Sequence, residues 1–320
     1  MKRIGMLTSG GDAPGMNAAI RAVVRTAAYY DMEVFGIDKG YDGLIAGDIR
    51  QLGPRDVSDT IQRGGTILKT ARSASFMEEE GFGRAISMMD NFKIEGLIVC
   101  GGNGSLKGAL DLKKAGVKVV GLPGTIDNDL SYTDYTIGFD TAVNTALWAI
   151  TNVRDTSSSH ERATIVEVMG RECGDIAIFS GITGGAEIIL VPEVPVDIAE
   201  VCRSLITSRQ RGKASNIIVK AEGVDIDSKA LTDEIAKRTG LDVKVVVLGY
   251  IQRGGSPTQA DRLLASRLGC KAVELMKDDV CGVAIGIVDN KIVCPALEEA
   301  LSATRKPVDE FIELSKILAM

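Results

Sequence analysis

Three stretches of this sequence place glycines and polar side chains directly after short β-type runs. They span residues 8–17 (TSGGDAPGMN), 101–105 (GGNGS) and 123–129 (PGTIDND). Glycines let a backbone approach an anion closely, and the free N–H groups at the start of a helix favour negative charge. The spacing matches neither the Walker A loop nor the dinucleotide fingerprint. A tight turn explains one such stretch equally well, but two in one lobe favour a polyphosphate held from two sides.

The third stretch carries the residues that could move a proton. We predict an extended segment, which would throw Thr125, Asp127 and Asp129 to one side. One carboxylate beside a phosphate could act as a base, and the other could organise a magnesium ion through water. An Asx-rich turn is the alternative, and it is the better one for this stretch taken alone.

These stretches are positioned by β-type runs that alternate with amphipathic helical segments along nearly the whole chain. The predicted helices include residues 16–30, 105–115 and 141–154, and Ser105 is a predicted N-cap. The predicted strands are residues 3–8, 34–37, 96–100, 117–121, 163–168, 216–221, 244–248 and 283–288. Such alternation predicts an α/β fold with mostly parallel sheets and helices on both faces. Ligands of these folds bind at the carboxyl ends of strands, where the glycine-rich stretches lie.

The length of 320 residues favours two such α/β/α lobes, because one domain usually has about 100–200 residues. No Pro-rich linker separates the lobes, so we predict chain crossings near residues 138, 250 and 302. The larger lobe then comprises residues 1–138 plus 251–301, and the smaller lobe comprises residues 139–250 plus 302–320. Two lobes imply a cleft between them, and we place the active site there.

Composition excludes several other classes of protein. The net charge is −6, which argues against a broad nucleic-acid surface, so anions must be bound at local clusters. His160 is the only histidine, which leaves most acid–base chemistry to carboxylates. The six cysteines show no C-x-x-C spacing, and this argues against a zinc site or a disulfide framework. Neither a secretory signal nor a membrane span is evident, so we expect a cytoplasmic protein without a membrane partner.

The combination of motifs resembles the bacterial ATP-dependent 6-phosphofructokinase family. The similarity runs over essentially the whole chain. It is most specific in the motifs TSGGDAPGMN, PGTIDND, DTSSSH, VEVMGR and IQRGGSP. The resemblance implies the two-lobed fold described above, with ATP on the larger lobe and a sugar phosphate on the smaller one.

The activity implied by the resemblance is ATP-dependent phosphorylation of D-fructose 6-phosphate at its 1-hydroxyl, a step of glycolysis. The products are fructose 1,6-bisphosphate and ADP. Asp127 would be the general base, assisted by Thr125 and Asp129, while Arg171 and Arg72 would steady the phosphoryl charge. Magnesium is the implied cofactor, with Asn103 and Asp129 as its implied contacts.

The resemblance also assigns three groups of binding residues. For ATP they are Gly11, Tyr41, Arg72, Ser73, Gly102, Asn103, Gly104, Ser105 and Gly108. For the sugar phosphate they are Thr125, Ile126, Asp127, Arg162, Met169, Gly170, Arg171, Glu222, Lys244, Tyr250 and Arg253. For an ADP or phosphoenolpyruvate effector they are Arg21, Arg25, Ser58, Asp59, Arg154, Gly185, Glu187, Arg211, Lys213 and Ser215. Arg162 and Lys244 would come from a neighbouring subunit, as in the homotetramers typical of the family.

The chain departs from the family pattern at three active-site positions. Asn103 stands where the family has an aspartate near the magnesium, Lys244 replaces an arginine that grips the 6-phosphate, and Tyr250 replaces a histidine. The small residues Gly104 and Gly124 favour ATP, because pyrophosphate-using relatives carry aspartate and lysine there.

A second set of departures lies in the effector region. Pro54 stands for an arginine and Arg55 stands for a tyrosine that stacks on adenine. We therefore expect a phosphate-bearing effector to bind with weaker selectivity for ADP than the family pattern implies.

Two alternative functions remain open at the level of sequence. The first is a related kinase that acts on another ketose phosphate, such as tagatose 6-phosphate or sedoheptulose 7-phosphate, through Lys244 and Tyr250. The second is a catalytically weak regulatory subunit, an interpretation that Asn103 keeps open and that the presence of Asp127 and Arg171 opposes.

Overall fold

A computed structural model describes residues 1–305 and 307–319, and these residues form two compact units. The first unit comprises Met1–Thr141 and Arg253–Arg305. The second comprises Ala142–Gln252 and the described residues after 306. The chain thus passes between the units at three places, and the roles assigned to the two units in ligand binding remain predictions.

A six-stranded sheet forms the centre of the first unit, in the order β10-β5-β4-β1-β2-β3. All neighbouring strands are parallel except β2 and β3. The strands are β1 (Arg3–Ser9), β2 (Glu33–Ile37), β3 (Ile49–Leu52), β4 (Gly96–Gly101), β5 (Val119–Pro123) and β10 (Val283–Ala284). A separate antiparallel pair is formed by β11 (Gly286–Val288) and β12 (Lys291–Val293).

The register of this sheet decides where the glycine-rich stretches meet. Ser9 pairs with Gly101, and Gly101 in turn pairs with Pro123. The strands β1, β4 and β5 therefore end side by side, and the loops that follow them emerge at one edge of the sheet. This is the edge at which open parallel sheets bind ligands.

Helices with apolar faces cover the sheet of the first unit. Leu7 of β1, Val99 of β4 and Leu106 are fully buried in one hydrophobic core cluster. The helical elements are α1 (Met16–Tyr29), α2 (Gly40–Ala46), η1 (Ser75–Met77), α3 (Glu79–Asn91), α4 (Asn103–Lys114), α9 (Gln259–Lys277) and α10 (Leu297–Ser302). The helix α5 (Phe139–Ser159) begins in the first unit and continues into the second.

The second unit is built on a four-stranded parallel sheet of order β7-β8-β6-β9. Its strands are β6 (Ala163–Val168), β7 (Ile188–Leu190), β8 (Asn216–Ala221) and β9 (Val243–Val247). Its helical elements are α6 (Asp175–Thr183), α7 (Ile198–Gln210), α8 (Ser228–Thr239), η2 (Gly249–Gln252) and α11 (Asp309–Leu318). Asp197 and Asp227 cap α7 and α8, since each side chain accepts backbone N–H groups of the first turn.

The α/β fold with mostly parallel sheets is confirmed, with three local corrections. β5 begins two residues later than predicted, at Val119, and the predicted strand 283–288 is divided into β10 and β11. Ser105 is not an N-cap, because α4 already begins at Asn103 and Gly102 occupies the cap position. None of the helices in the described residues is long and apolar enough to cross a membrane.

Asp261 fixes the start of α5, and sequence analysis gave this residue no role. Its carboxylate accepts hydrogen bonds from the backbone N–H groups of Gly138 and Thr141, both at 2.8 Å, and from the Thr141 hydroxyl at 2.5 Å. Burial raises the pKa of this carboxyl to about 6, although the three hydrogen bonds oppose the rise. Asp261 therefore anchors the segment that follows the third glycine-rich stretch.

Candidate active site

The first loop, residues 9–15, requires glycine at two positions. Gly10 has φ +88° and Gly15 has φ +114°, values that side-chain-bearing residues rarely adopt. The Thr70 hydroxyl donates to the Gly10 carbonyl at 2.8 Å, and the Gly10 N–H donates to the Ala71 carbonyl. These bonds hold the segment that carries the predicted ATP contacts Arg72 and Ser73 against the first loop.

Tyr41 brings part of the predicted nucleotide site together. Its hydroxyl donates to the Ser105 carbonyl at 2.7 Å, and its ring stacks on Phe76 with a centroid distance of 4.0 Å. Burial raises the pKa of the Tyr41 phenol, so the hydroxyl stays protonated and remains a donor. A β-carbon at Gly108 would lie 3.0 Å from this ring, so a larger residue at position 108 would press against Tyr41.

The second and third loops lie directly beside each other. The Gly124 N–H donates to the Gly101 carbonyl at 3.0 Å. A β-carbon at Gly102 would lie 3.5 Å from the β-carbon of Thr125. The start of α4, where backbone N–H groups have no partners within the helix, is therefore next to the loop that carries the carboxylates.

The prediction of an extended segment at 125–129 is wrong. The Asp127 N–H donates to the Thr125 hydroxyl at 3.2 Å, and Asn128 has φ +54°, so the chain turns here. Thr136 stabilises the turn, because its hydroxyl donates to the Thr125 carbonyl at 2.6 Å and its N–H donates to the Asn128 side chain at 3.0 Å. The positions of Thr125, Asp127 and Asp129 are therefore set by a hydrogen-bonded turn and not by the alternating side chains of a strand.

Asp127 is the buried carboxylate of this turn, with 4% of its surface exposed, and Asp129 is half-buried. This carboxylate lies at the end of β5, beside the N-terminus of α4. A carboxylate in this position could take up the proton of a hydroxyl that attacks a phosphate held there. Ile126, the remaining sugar-phosphate residue of this loop, is buried at 2% exposure and contributes packing around the turn.

Gly104 and Gly124, the two glycines that favour ATP over pyrophosphate as donor, have different surroundings. A β-carbon at Gly104 would meet no atom within 4 Å, so the space beside α4 is open. At Gly124 a β-carbon would lie 2.7 Å from the sulfur of Cys100, so a lysine there would force its neighbours to move. A side chain at position 104 would therefore occupy space that is open beside the start of α4.

The magnesium contacts predicted from sequence belong to neighbouring loops. Asn103 is the first residue of α4, and Asp129 ends the turn after β5. Within residues 1–305 and 307–319 there is no group of three His, Cys, Asp or Glu side chains that could enclose a metal ion. An amide and a carboxylate fit a magnesium ion that keeps several waters and is held mainly by phosphates.

Arg253 also lies at the first loop. Its guanidinium carbon is 3.5 Å from the position that a β-carbon of Gly11 would occupy. The family resemblance assigns Arg253 to the sugar phosphate and Gly11 to ATP, and the structure puts the Arg253 cation directly beside this glycine. The contact provides positive charge at the loop in the first unit.

In the second unit, Glu222 joins two loops that follow neighbouring strands. Its carboxylate accepts the N–H groups of Gly170 at 3.2 Å and Arg171 at 2.9 Å. Gly170 has φ +138° and Arg171 has φ +54°, so the loop after β6 turns sharply. The Met169 N–H donates to the side chain of Gln252, a residue that sequence analysis quoted in a motif without giving it a role. Four predicted residues therefore meet at the carboxyl ends of β6 and β8.

Tyr250 lies on the short helix η2, and 77% of its surface is exposed. Its ring therefore lies at the surface of this unit.

Arg162 and Lys244 lie at the opposite end of the same sheet. Arg162 directly precedes β6 and donates to the Thr156 hydroxyl at 3.4 Å, while Lys244 pairs with Asp242 at 2.8 Å near the start of β9. Arg162 and Met169 flank the six residues of β6, so they are about 23 Å apart along an extended strand. The structure therefore does not bring these two cations together with Glu222 in one chain.

Part of the predicted effector site is assembled in the second unit. The side chain of Glu187 is 2% exposed and pairs with Lys213 at 2.6 Å and Arg154 at 3.5 Å. Arg154 also donates to the Gly185 carbonyl at 2.6 Å, and Ser215 contacts Ser158 at 3.0 Å. Glu187, Arg211 and Lys213 line one end of a cavity of about 750 Å³ between β7, α7 and α11.

The remaining effector residues belong to the first unit. Arg21 and Arg25 share one face of α1, where Arg21 is half-buried and Arg25 is exposed. Ser58 and Asp59 are exposed on the loop after β3, and Asp59 has φ +54°. These four residues and the cluster around Glu187 belong to different units.

Comparison with known proteins identifies relatives over the full length. Residues 3–276 match the family model described as phosphofructokinase. The chain is 54% identical over 320 residues to the ATP-dependent 6-phosphofructokinase of Clostridioides difficile, with 100% of both chains covered. It is 53% identical over 319 residues to the enzyme of the same name from Clostridium tetani, again with 100% of both covered.

Solved structures with the same fold include two relatives whose chains are longer than this one. Phosphofructokinase from Saccharomyces cerevisiae is 36% identical with a TM-score of 0.88, and the match covers 100% of this chain and 48% of that one. A pyrophosphate-dependent phosphofructokinase from Marinobacter aquaeolei is 22% identical with a TM-score of 0.84, over 97% of this chain and 86% of that one. The second likeness concerns the fold alone.

Proposed function

The chain belongs to the phosphofructokinase family, and we infer that it catalyses the ATP-dependent phosphorylation of fructose 6-phosphate in glycolysis. The observation that carries this function is the meeting of three loops at the carboxyl ends of β1, β4 and β5. Two of these loops lead into the N-termini of α1 and α4, which favour phosphates, and the third carries the buried carboxylate of Asp127.

In the proposed reaction, Asp127 accepts the proton of the sugar 1-hydroxyl as its oxygen attacks the γ-phosphorus of ATP. The bond between that phosphorus and the β,γ-bridging oxygen breaks, and ADP leaves. Hydrogen bonds of Thr125 and Thr136 hold the backbone of the turn that carries Asp127, which favours a defined position for the carboxylate. Arg72 and Arg171 supply positive charge for the transferring phosphoryl group.

The function is tested by a coupled assay that follows ADP release with ATP and a panel of ketose phosphates. We expect the highest kcat/KM with fructose 6-phosphate. Tagatose 6-phosphate and sedoheptulose 7-phosphate test the effect of Lys244 and Tyr250. A higher kcat/KM with either of these sugars would reassign the substrate, and no turnover with any sugar would favour a regulatory subunit.

ATP fits the open space beside α4 as the phosphoryl donor. We predict that Gly104→Asp raises the KM for ATP about tenfold or more, because the carboxylate fills this space and repels the phosphates. Gly83→Asp is a matched control, since Gly83 also lies in a helix, α3, and a β-carbon there also meets no atom within 4 Å. An unchanged KM for ATP in Gly104→Asp would contradict the steric argument for donor choice.

Magnesium is the proposed cofactor, and it would neutralise the charge of the ATP phosphates during transfer. Asn103 and Asp129 are the side chains that we propose hold it or its waters. We predict that Asn103→Asp lowers the magnesium concentration needed for half-maximal rate by about threefold or more, because a charged oxygen replaces an amide oxygen. Titration of the rate with magnesium at saturating ATP measures this, and an unchanged or increased requirement would show that the metal is held by other groups.

We propose that the active enzyme is a homotetramer with shared active sites. Support comes from Arg162 and Lys244, whose position at the amino ends of β6 and β9 separates them from Glu222 of their own chain. A neighbouring chain can place them at the sugar 6-phosphate. A cytoplasmic location likewise remains a prediction.

A phosphate-bearing effector is proposed for the residues around Glu187 and for Arg21 and Arg25. The cavity beside Arg211 and Lys213 supports this, since its volume of about 750 Å³ lies within the usual range of small-molecule pockets, about 300–1,000 Å³. Because Arg55 replaces a tyrosine, ADP gains no aromatic stacking there.

We predict that Arg21→Ala combined with Arg25→Ala weakens binding of ADP and phosphoenolpyruvate at this second site by about tenfold or more. Calorimetric titration in the presence of a saturating, non-hydrolysable ATP analogue separates this site from the catalytic one. Lys2→Ala combined with Lys237→Ala removes the same charge elsewhere and is the control. A wild-type enzyme with no second binding event, or a double variant with unchanged binding, would remove the effector site from these residues.

A further inference from the structure

The loop between β8 and α8, residues 222–227, carries Glu222 at its first position. Glu222 accepts hydrogen bonds from Gly170 and Arg171, so this loop helps to position the loop after β6. The two loops approach very closely, since a β-carbon on Gly223 would lie 1.9 Å from the Arg171 carbonyl oxygen. A small shift of the Glu222 loop must therefore move Arg171 as well.

Both ends of this loop are tied to one carboxylate oxygen. The Lys220 ammonium, two residues before Glu222, donates to Oε2 of Glu167 at 3.3 Å. The hydroxyl of Ser228, the first residue of α8, donates to the same oxygen. Glu167 itself lies in β6, directly paired with Lys220 and three residues before Gly170.

The chemistry of Lys220 is unusual for the centre of a sheet. Its side chain is 2% exposed, whereas that of Glu167 is 21% exposed. The ammonium has one further acceptor, the Ala221 carbonyl at 3.4 Å. An apolar side chain would fill the same space without the cost of removing a charge from water. Stability alone therefore explains this buried ion pair poorly. An apolar pair would lack the directional contact between the Lys220 ammonium and the Glu167 carboxylate.

We propose that Lys220 and Glu167 are positioning residues for the sugar-phosphate site, which set the Glu222 loop against Gly170 and Arg171. The ion pair holds the start of the loop, the Ser228 bond holds its end, and the Glu222 carboxylate transmits this placement to Arg171. This inference rests on the proposed function, because it gives Glu222 and Arg171 their contact with the sugar phosphate.

The test uses Lys220→Met, which keeps an unbranched side chain only one atom shorter and removes the ammonium. We expect the KM for fructose 6-phosphate to rise about tenfold, with the KM for ATP unchanged within about twofold, because only the sugar-phosphate loops are displaced. Lys237→Met is the control, since Lys237 is an exposed lysine in the last turn of α8. An unchanged KM for fructose 6-phosphate in Lys220→Met would overturn the inference.

A double variant separates positioning from stability. Lys220→Met combined with Glu167→Gln leaves no unpaired buried charge, so resistance to urea unfolding should return towards that of the wild type. The KM for fructose 6-phosphate should stay raised, because the β8 end of the loop still lacks its ion pair with Glu167. Return of both quantities together would assign the pair a structural role only.

Ser228→Ala keeps the ion pair and releases the other end of the loop, so it tests the inference even where Lys220→Met does not fold. We expect a rise of about threefold in the same KM, and no rise would count against the shared oxygen as an anchor. A wild-type enzyme that does not phosphorylate fructose 6-phosphate removes the proposed function and this inference together. An active wild-type enzyme with unchanged variants removes the inference alone.

Discussion

Asp127→Asn is expected to lower kcat by roughly 10²–10⁴, the contribution of a positioned general base. The amide has nearly the shape of the carboxylate but cannot take up the proton of the attacking hydroxyl. The hydrogen bond of the Thr125–Asp127 turn is made by the backbone N–H of residue 127, so this bond does not depend on the side chain that is changed. Steady-state kcat with ATP and fructose 6-phosphate measures the effect.

Binding of ATP should survive this substitution, with a Kd within about threefold of the wild-type value in calorimetric titration. Asp90→Asn is the matched control, because Asp90 is an exposed aspartate of α3 in the same unit. Its kcat should equal that of the wild type. A variant at position 127 with near-normal turnover would remove Asp127 from the role of base and leave Asp129 as the carboxylate to examine.

A mixture of two variants that are each inactive, Asp127→Asn and Arg162→Ala, is expected to recover activity. Asp127→Asn removes the base, and Arg162→Ala should raise the KM for fructose 6-phosphate about 10- to 100-fold by removing a charge-assisted bond to the phosphate. If Arg162 serves the neighbouring active site, a hybrid contains sites with both groups intact. Random assembly gives about a quarter of such sites in an equal mixture.

The experiment dissociates and reassembles the two variants together, then measures turnover at low fructose 6-phosphate. Each variant reassembled with itself is the control and should stay inactive under these conditions. A mixture of the Lys244→Ala and Asp127→Asn proteins should recover activity like the first mixture, because Lys244 lies at the same end of the sheet as Arg162. Absence of recovery in both mixtures would place these cations outside the neighbouring active site.

The sequence determined the elements and the three loops, because both depend on local chemistry. Alternating apolar runs defined β6 and β8 at their observed bounds, and glycines at positions 10 and 15 occupy backbone conformations that other residues rarely adopt. The family resemblance carried the roles of the residues, which spacing alone left open between binding loops and ordinary turns.

Tertiary structure decided which of these residues meet. The register Ser9–Gly101–Pro123 brings together loops that are far apart in sequence, and Tyr41 reaches Ser105 from a different element. The turn at Thr125 is stabilised by Thr136, and the local pattern left an extended segment and an Asx-rich turn both open. Local sequence does not encode such partners, because each contact depends on how strands are ordered and paired.

The same reason explains the residues that sequence analysis missed. Lys220 and Glu167 are separated by many residues but are directly paired in neighbouring strands, and Asp261 meets Thr141 only through the packing of α9 beside the start of α5. A lysine in a strand is usually exposed, so its sequence context predicts a surface charge. Only the sheet on which it lies shows that the charge is buried, and burial is what makes its partner matter.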